Sequence, residues 1–429
     1  MIRSSAIDRL AKFDLKGSSM RIETTAVRAA RGESSTNSSF SQEASLESGI
    51  PHVPQIDMST TYGFRSSSSV AASMDALLEG EYDAPNPVYA RLHNPTVARF
   101  EDALAQLEGA EAAVAFASGM AATTALLIAA SLEETGRRDH VVAVRPVYGG
   151  SDHLMSTGML GTEVTWVDSD SVGEAIRSDT GLVFIETPAN PTLELIDIEA
   201  VSRQIKSAEN RVVAAVPLAV DSTFATPILQ NPIALGADLV LHSATKFLGG
   251  HGDVMGGVIA CSEDYAARLR QVRMVTGGLL HPLGGYLLHR GLQTLPVRVL
   301  EQQRNAIELS KRLSDHASVR SVHFPRYGRD GHAPVAGQMR GPGSVLSFCV
   351  QSGISTAGVV ERLGLITPAV SLGSVDTLIQ APALLTHRIV DAADRTEAGI
   401  SEDLLRLSVG LENVEDLWAD LDQALAKGI

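Results

Sequence analysis

The segment from residue 238 to residue 250 reads Asp238-Leu-Val-Leu-His-Ser-Ala-Thr-Lys246-Phe-Leu-Gly-Gly250. It begins with a short apolar run typical of a buried strand and ends in a glycine-rich turn. Lys246 is the one lysine of six in such an apolar, small-residue context. Burial lowers the pKa of a lysine and makes its amine a nucleophile, which suits Schiff-base chemistry. The alternative is a lysine that extends its stem from the strand end into water.

Carboxylates follow two other apolar runs. Glu186 comes after Leu182-Val-Phe-Ile185, and Asp221 comes after the run 212–220. The carboxyl ends of parallel strands meet at one sheet edge, so Asp221 and Lys246 are expected to face one crevice. There the pair suits pyridoxal phosphate, because the lysine binds the aldehyde and the acid keeps the pyridine nitrogen protonated. A structural ion pair is the alternative.

The phosphate of such a cofactor needs hydrogen-bond donors. Ser118-Gly119-Met120 lies between an apolar run and an uncharged helical stretch, so its N–H groups are expected at a helix N-terminus. Ser243 and Thr245 are two residues apart, so their hydroxyls share one face if the chain is still extended there. Taken alone, the Ser-Gly pair is also typical of a tight turn.

Apolar runs alternate with helical stretches along the chain. The runs that predict strands are 112–117, 141–144, 163–167, 182–185, 212–220 and 238–241. Their alternation predicts an α/β fold with a mainly parallel sheet in a large domain. Thr96 is predicted to cap a helix that ends at Gly109, and residues 277–291 are predicted to form a glycine-rich connector.

The second half of the chain predicts a smaller α/β domain. Its expected elements are a helix at 297–316, strands near 319–324, 344–350 and 404–409, and a helix near 413–426. The predicted boundaries are 1–95 for an N-terminal arm that contacts a neighbouring subunit, 96–296 for the large domain and 297–429 for the small domain.

Composition narrows the class of protein. The net charge of −15 over 429 residues disfavours a nucleic-acid partner, because an acidic surface repels phosphate backbones. Cys261 and Cys349 form no CxxC motif, which disfavours a zinc ribbon or a disulfide framework and predicts a cytoplasmic location. The uncharged stretch 112–132 is long enough to span a membrane, but Ser118 and Gly119 interrupt it. We therefore predict a buried strand, a turn and a buried helix, with neither a membrane partner nor a metal site.

Ten segments, in order from about residue 50 to the end, resemble the Cys/Met-metabolism family of pyridoxal-phosphate enzymes. They are Tyr89-Ala-Arg91, Asn94-Pro-Thr96, Ser118-Gly-Met120, Tyr148-Gly-Gly150, Glu186-Thr-Pro-Ala-Asn190-Pro191, Asp221-Ser-Thr-Phe224, His242-Ser-Ala-Thr-Lys246, Ser371-Leu-Gly373, Thr386-His387 and Arg406-Leu-Ser-Val-Gly-Leu-Glu412. The resemblance implies the aspartate aminotransferase-like fold of PLP-dependent transferases, with pyridoxal 5′-phosphate as the cofactor. It leaves the first 45 residues uncovered.

The same resemblance implies roles at the cofactor. Lys246 matches the Schiff-base lysine, Asp221 the partner of the pyridine nitrogen, and Tyr148 the residue that stacks on the ring and serves as an acid/base. Asn190 matches a residue near the ring hydroxyl, and Thr223 one against the other ring face. The implied phosphate-binding residues are Ser118, Gly119, Met120, Ser243 and Thr245.

Tyr89 and Arg91 match a pair that reaches the phosphate of a neighbouring subunit. This implies a homodimer and usually a dimer of dimers, that is, a homotetramer. Arg406 matches the arginine that binds the substrate α-carboxylate, and Ser371 lines the same pocket. Without the family, Arg406 on an alternating strand is more typical of a surface arginine.

Two positions bear on the substrate. Cystathionine enzymes of the family carry a glutamate where this chain has Val370 and an arginine where it has His153. An apolar Val370 favours a short neutral tail, and the run 377–380 resembles methionine γ-lyase, although that lyase usually has a cysteine where Gly150 stands. We therefore predict γ-elimination of a sulfur amino acid, giving 2-oxobutyrate, ammonia and a thiol.

Other activities stay open in the sequence. A protonated His153 can bind a carboxylate, which keeps cystathionine γ-lyase and cystathionine γ-synthase as alternatives, followed by O-acylhomoserine sulfhydrylase. A PLP aminotransferase is a further alternative. A dehydrogenase is disfavoured because the glycines of 249–257 lack GxGxxG spacing, and a P-loop NTPase because the chain contains no Gly-Lys pair. A non-enzymatic binding module is the weakest reading of these motifs.

Overall fold

A computed structural model describes residues 20–30, 52–82, 84, 87–133, 136–212, 215–325 and 337–426. Its helices are α1 Ile22–Arg28, α2 Ser67–Leu78, α3 Pro95–Glu108, α4 Gly119–Ser131, α5 Gly149–Ser156, α6 Val172–Ala175, α7 Ile198–Val212, α8 Thr226–Leu229, α9 Glu263–Thr276, α10 Pro282–Leu292, α11 Leu295–Ser314, α12 Thr356–Arg362, α13 Ala392–Glu397 and α14 Val414–Ala426. Short 3₁₀ helices lie at Pro232–Leu235 and Pro382–Leu384.

The strands are mostly short and buried. They are β1 Ala112–Phe116, β2 Leu132–Glu133, β3 Gly136–Arg137, β4 His140–Val144, β5 Glu163–Val167, β6 Thr180–Glu186, β7 Leu218–Asp221, β8 Leu239–His242, β9 Gly257–Cys261, β10 Val319–His323, β11 Val345–Val350, β12 Thr367–Pro368, β13 Leu378–Gln380 and β14 Leu404–Ser408. Their alternation with helices is the predicted α/β pattern.

The described chain divides into two compact units. The first contains the described residues up to Ala129, with Leu239–Gly249 and Asp253–Pro296. The second contains Ala130–Asp238, Gly250–Gly252 and the described residues from Val297 onward. The boundaries predicted at residues 96 and 297 stay a prediction, and 43 of the 95 residues of the predicted arm lie outside the described residues.

In the first unit, β9 lies between β1 and β8 and runs antiparallel to both. Strand β9 was not among the predicted strands, and it begins at the second glycine of the pair Gly256-Gly257. Helix α3 buries Phe100, Leu104 and Leu107, as its apolar spacing predicts. Its cap is Asn94 and not Thr96: Asn94 Oδ1 accepts from the backbone N–H of Thr96 and of Val97, at 3.0 and 3.1 Å.

The predicted connector at 277–291 is largely the helix α10, so that prediction is wrong. Pro282 stands in the first turn, and the side chain of His281 caps it by accepting from Leu283 N–H at 3.2 Å. Gly285 packs so closely on α3 that an added Cβ would lie 3.0 Å from Val97 Cα. The glycine allows two helices to approach each other, and the sequence pattern cannot distinguish that use from a loop.

In the second unit, the parallel strands follow the order β7-β6-β4-β5. Their buried face packs on α7 through residues that include Val183, Ile185 and Val201. The predicted strand 212–220 is shorter than expected: residue 212 ends α7, and β7 begins at Leu218. The run is apolar throughout, so its composition does not mark where the helix ends.

A separate sheet in the second unit has the order β10-β11-β14-β13-β12. It packs on α11 and α14 around buried residues such as Leu309, Phe348 and Leu421. This matches the elements predicted for the second half of the chain. Among the described residues, no helix combines the length and the apolar character needed to cross a membrane.

Candidate active site

The chain turns directly after β8. The backbone N–H of Lys246 donates to Ser243 O at 3.0 Å, and Thr245 Oγ1 exchanges hydrogen bonds with the backbone of Gly256. The chain is therefore no longer extended at Ser243 and Thr245. The prediction that their hydroxyls share one face required an extended chain, so this structure does not support it. Lys246 is half-buried at this turn, next to the fully buried Phe247.

A second turn of the first unit lies against this one. Ser118 Oγ accepts from Ala121 N–H at 3.1 Å and so caps the start of α4. A Cβ added to Gly119 would lie 3.0 Å from both Cβ and Oγ of Ser243, and one added to Gly257 would lie 2.1 Å from Ser118 O. The structure thus brings Ser118, Gly119 and Ser243 together. A helix N-terminus beside a hydroxyl fits a phosphate group.

Two buried side chains form a hydrogen bond directly before the turn that carries Lys246. His242 is the last residue of β8, and its Nε2 lies 2.6 Å from Glu108 Oε1 at the end of α3. Both side chains are fully buried. The pair ties the residue before Ser243 to a helix of the same unit.

In the second unit, Asp221 ends β7 and is buried. Its Oδ1 accepts from Thr223 N–H at 3.0 Å and from Thr223 Oγ1 at 2.6 Å. These donors hold the carboxyl in one orientation. The structure therefore brings the predicted residues Asp221 and Thr223 together.

Glu186 is a buried acid at a strand end, and it is not among the predicted site residues. It ends β6 directly opposite Asp221 of β7. Its Oε2 accepts from Tyr148 N–H at 2.7 Å, and its Oε1 accepts from Asn190 N–H at 2.9 Å. Burial, and then the charge of Asp221, raise the pKa of Glu186 well above its usual range.

Arg406 on β14 is buried, contrary to the behaviour of a typical surface arginine. Its Nη1 donates to Asn190 Oδ1 at 2.8 Å and its Nη2 to Ser371 O at 2.7 Å. With its amide oxygen turned toward the guanidinium, Gln380 of β13 accepts from Nη2 at 2.6 Å. Burial lowers the pKa of Arg406 to about 10. The guanidinium remains a cation at neutral pH, held in place to bind an anion.

His387 belongs to one of the ten segments that resemble the family, but it is not among the predicted site residues. It is buried, and Thr386 Oγ1 lies 3.2 Å from its Nδ1. Burial, and then the charge of Arg406, lower its pKa to about 4. The imidazole is therefore neutral at physiological pH.

Other predicted residues of the second unit lie at its surface. Tyr148 is 39% exposed just before α5, and Val370 is 54% exposed next to the half-buried Ser371. Ser371 has a positive φ of 91°, a backbone conformation that costs a non-glycine residue about 1–3 kcal/mol. His153 is half-buried within α5. Exposed aromatic and apolar side chains next to a buried cation are typical of a ligand site.

Tyr89 and Arg91 belong to the same unit as Lys246 but come more than 150 residues before it in the sequence. Both are exposed, and the Arg91 guanidinium lies 5.5 Å from the centre of the Tyr89 ring. Arg91 Nη1 donates to Met274 O at 2.8 Å. Across the described ranges, no group of three or more His, Cys, Asp or Glu side chains is arranged to hold a metal ion.

Each unit thus carries groups that suit one part of pyridoxal phosphate. The turns at Ser118 and Ser243 suit the phosphate, Lys246 suits the aldehyde, and the buried Asp221 suits the pyridine nitrogen. Arg406 suits the α-carboxylate of an amino acid. The residues present therefore fit this cofactor and an amino-acid substrate.

Comparison with known proteins agrees with this fit. Residues 40–426 match the family model described as "Cys/Met metabolism PLP-dependent enzyme". An L-methionine γ-lyase of Streptomyces avermitilis is 56% identical over 375 residues, covering 87% of this chain and 84% of that relative. An L-methionine γ-lyase of Brevibacterium aurantiacum is 52% identical over 383 residues, covering 88% and 90%.

A solved structure is also similar. The crystal structure of a cystathionine γ-lyase from Micromonospora echinospora has a TM-score of 0.80 and 36% identity, covering 95% of this chain and 99% of that chain. These matches confirm the predicted fold, the pyridoxal-phosphate cofactor and the assignment as an enzyme. The chain belongs to the Cys/Met-metabolism family of PLP-dependent enzymes.

Proposed function

We propose that this enzyme eliminates the γ-substituent of L-methionine, converting methionine and water to 2-oxobutyrate, ammonia and methanethiol. The observation that carries the proposal is the surroundings of Arg406: this buried cation donates to the carbonyl of Ser371, and the residue before Ser371 is the apolar, exposed Val370. A bound amino acid would meet an uncharged side chain there, which suits a methylthioether better than a charged tail. The names of the two methionine γ-lyase relatives support the proposal.

The proposed roles of the cofactor-binding residues follow their chemistry. When bound, pyridoxal phosphate supplies an electron sink for negative charge that develops on the substrate. Lys246 would hold the cofactor through its aldehyde, and its amine would move the Cα proton of the substrate. Asp221, oriented by Thr223, keeps a proton at the pyridine nitrogen. The residues proposed for the phosphate are Ser118, Gly119, Met120, Ser243 and Thr245, and Asn190 is proposed for the ring hydroxyl.

The proposed roles at the substrate involve fewer residues. Arg406 and Ser371 bind the α-carboxylate, which orients the Cα–H bond for proton removal. The hydroxyl of Tyr148 donates a proton to the sulfur as the C–S bond breaks, so methanethiol leaves as a neutral thiol. Val370 and His153 contact the side chain and select among substrates.

Cystathionine γ-lyase activity is the second candidate. The solved structure of a cystathionine γ-lyase that matches 95% of this chain favours it, together with His153. A protonated His153 would bind the distal carboxylate of cystathionine.

Release of 2-oxobutyrate from L-methionine and L-cystathionine, assayed side by side with the cofactor-loaded protein, decides between the two. We expect a higher kcat/KM for methionine. A higher kcat/KM for cystathionine would refute the proposal and place His153→Ala as the next variant to test. If neither substrate reacts although the cofactor absorption is present, the enzyme is a synthase that needs an acylhomoserine and a thiol.

We also propose a homodimer, assembled as a dimer of dimers, in which Tyr89 and Arg91 reach the cofactor phosphate of the partner subunit. The exposure of both side chains supports this. Coexpression of Arg91→Ala with Lys246→Ala tests it, because a hybrid dimer regains one intact site only if the two residues come from different subunits. Activity no higher than that of either variant alone would refute the shared site.

A cytoplasmic location is proposed as well. Its support is the two cysteines, which are both free and buried.

A further inference from the structure

A single buried carboxyl group connects two parts of the candidate site in the second unit. Glu186 accepts hydrogen bonds from the backbone N–H groups of Tyr148 and Asn190, one on each oxygen. The side chain of Asn190 in turn accepts from Arg406 Nη1 at 2.8 Å. Glu186 is therefore one hydrogen bond from the residue proposed to protonate sulfur and two from the residue proposed to bind the α-carboxylate.

The carboxyl group of Glu186 restricts the relative movement of the two backbone segments that donate to it. The two carboxyl oxygens belong to one planar group, so two N–H donors bound to them are fixed relative to each other. Glu186 itself ends β6, whose seven residues are all buried, and it stands in register with Asp221 on β7. Neither donor belongs to a strand: Tyr148 precedes α5, and Asn190 lies in the loop after β6. The carboxyl thus joins two loops to a rigid strand end.

We propose that Glu186 is a positioning residue of the elimination, which holds Tyr148 and, through Asn190, Arg406 in the relative placement that the reaction needs. The inference rests on the proposed function for what those two residues do. The alternative is that the Glu186 carboxyl only accepts hydrogen bonds from two buried N–H groups and so contributes to stability. The two roles predict different results for a Glu186 variant that still folds, because only the positioning role predicts weaker ligand binding.

The test uses Glu186→Gln in the cofactor-loaded protein. Glutamine keeps the size of the side chain but has one accepting oxygen, so its NH₂ group faces one of the two N–H donors. We expect kcat for methionine to fall about tenfold or more, the cost of a lost buried hydrogen bond. We expect the Kd of L-norleucine, which matches methionine in length but has no leaving group, to rise by about tenfold in calorimetry. Cofactor content should stay at the wild-type level.

Hydrogen exchange gives a readout that needs no substrate. The amides of Tyr148 and Asn190 should exchange faster in Glu186→Gln than in the wild type. Asp420→Asn is the matched control, because Asp420 also accepts from backbone N–H groups, those of Gly364, Leu365 and Ile366. It should change exchange at those three amides and leave the norleucine Kd unchanged.

The outcomes separate the two proposals. A wild-type protein that binds norleucine but releases no 2-oxobutyrate would refute the proposed function alone. A folded Glu186→Gln protein whose norleucine Kd and kcat stay within about twofold of the wild type, while its stability falls, would overturn the positioning role. If Glu186→Gln does not fold, Glu186→Asp takes its place with the same expected directions. If neither folds, the carboxyl is structural and the proposal is wrong.

Discussion

Gly257 packs against the backbone of Ser118, in the turn predicted to bind the phosphate, so Gly257→Ala should displace that turn. Gly257 begins β9 and pairs with Phe116 of β1. An added Cβ would lie 2.1 Å from Ser118 O and 2.8 Å from Gly119 Cα, both backbone atoms. This is about 1 Å closer than van der Waals contact allows, so the turn that caps α4 must move by a comparable distance.

Two measurable losses should follow from that displacement. Forcing a methyl group into a filled site costs about 1–3 kcal/mol of stability. Moving the turn proposed to bind the phosphate by about 1 Å should raise the Kd of pyridoxal phosphate by about tenfold or more, since donors misplaced by that distance lose most of their hydrogen bonding. Titration of the cofactor into the apoprotein, followed by its absorption, measures the second effect.

Gly278→Ala is the matched control for this experiment. Gly278 O accepts from Ala117 N–H beside the same turn, but the nearest atom to an added Cβ is Ala121 Cβ at 3.6 Å, an ordinary contact. Its cofactor Kd should equal that of the wild type. If Gly257→Ala binds the cofactor as tightly as Gly278→Ala, the turn at Ser118 is not the phosphate site and the reasoning fails.

Three further predictions concern other groups. Glu108→Ala leaves the buried His242 without its hydrogen-bond partner and should lower the free energy of unfolding, measured by urea denaturation, by about 1–3 kcal/mol; an unchanged free energy of unfolding would contradict this. Tyr148→Phe should lower kcat for methionine by about 10²- to 10⁴-fold with little change in KM, whereas an unchanged kcat would exclude Tyr148 as the acid. The pKa of His387 is lowered to about 4, so the unfolded state binds its proton more tightly. Stability should therefore fall as pH drops from about 6.5 to about 4, by up to about 1.4 kcal/mol per pH unit, and His387→Gln should lack this contribution.

Local pattern was enough to predict nine of the fourteen described strands. Segments of five to seven residues placed β1, β5 and β11 within one residue of their bounds, and the 3.6-residue spacing of Phe100 and Leu104 placed α3. Errors arose where one residue type has two uses. Asn94 and Thr96 are both good caps, and the side chain that reaches the first amides is decided by backbone conformation. Glycines in α10 create a close helix contact and not a loop.

Contacts between residues far apart in sequence were beyond such reasoning. Arg406 was assigned by resemblance, and its alternating strand alone indicated a surface residue. The structure shows it buried because β14 lies between β11 and β13, so its side chain meets Gln380 across the sheet. A cation there must be held by several acceptors, since burying it otherwise costs several kcal/mol. Asn190 and Ser371 supply two of them from loops 216 and 35 residues away along the chain.

The same limit applies to Glu186 and to the positioning role proposed for it. A glutamate at a strand end suggests a ligand-binding acid, yet both of its oxygens are occupied by backbone amides. Which amides they are depends on how the loops after β4 and β6 return over the sheet, and no spacing in the sequence encodes that. The sequence therefore identifies the groups proposed to contact a cofactor or substrate, because their chemistry is specific. The groups that hold them in place have ordinary chemistry, and only their three-dimensional contacts distinguish them.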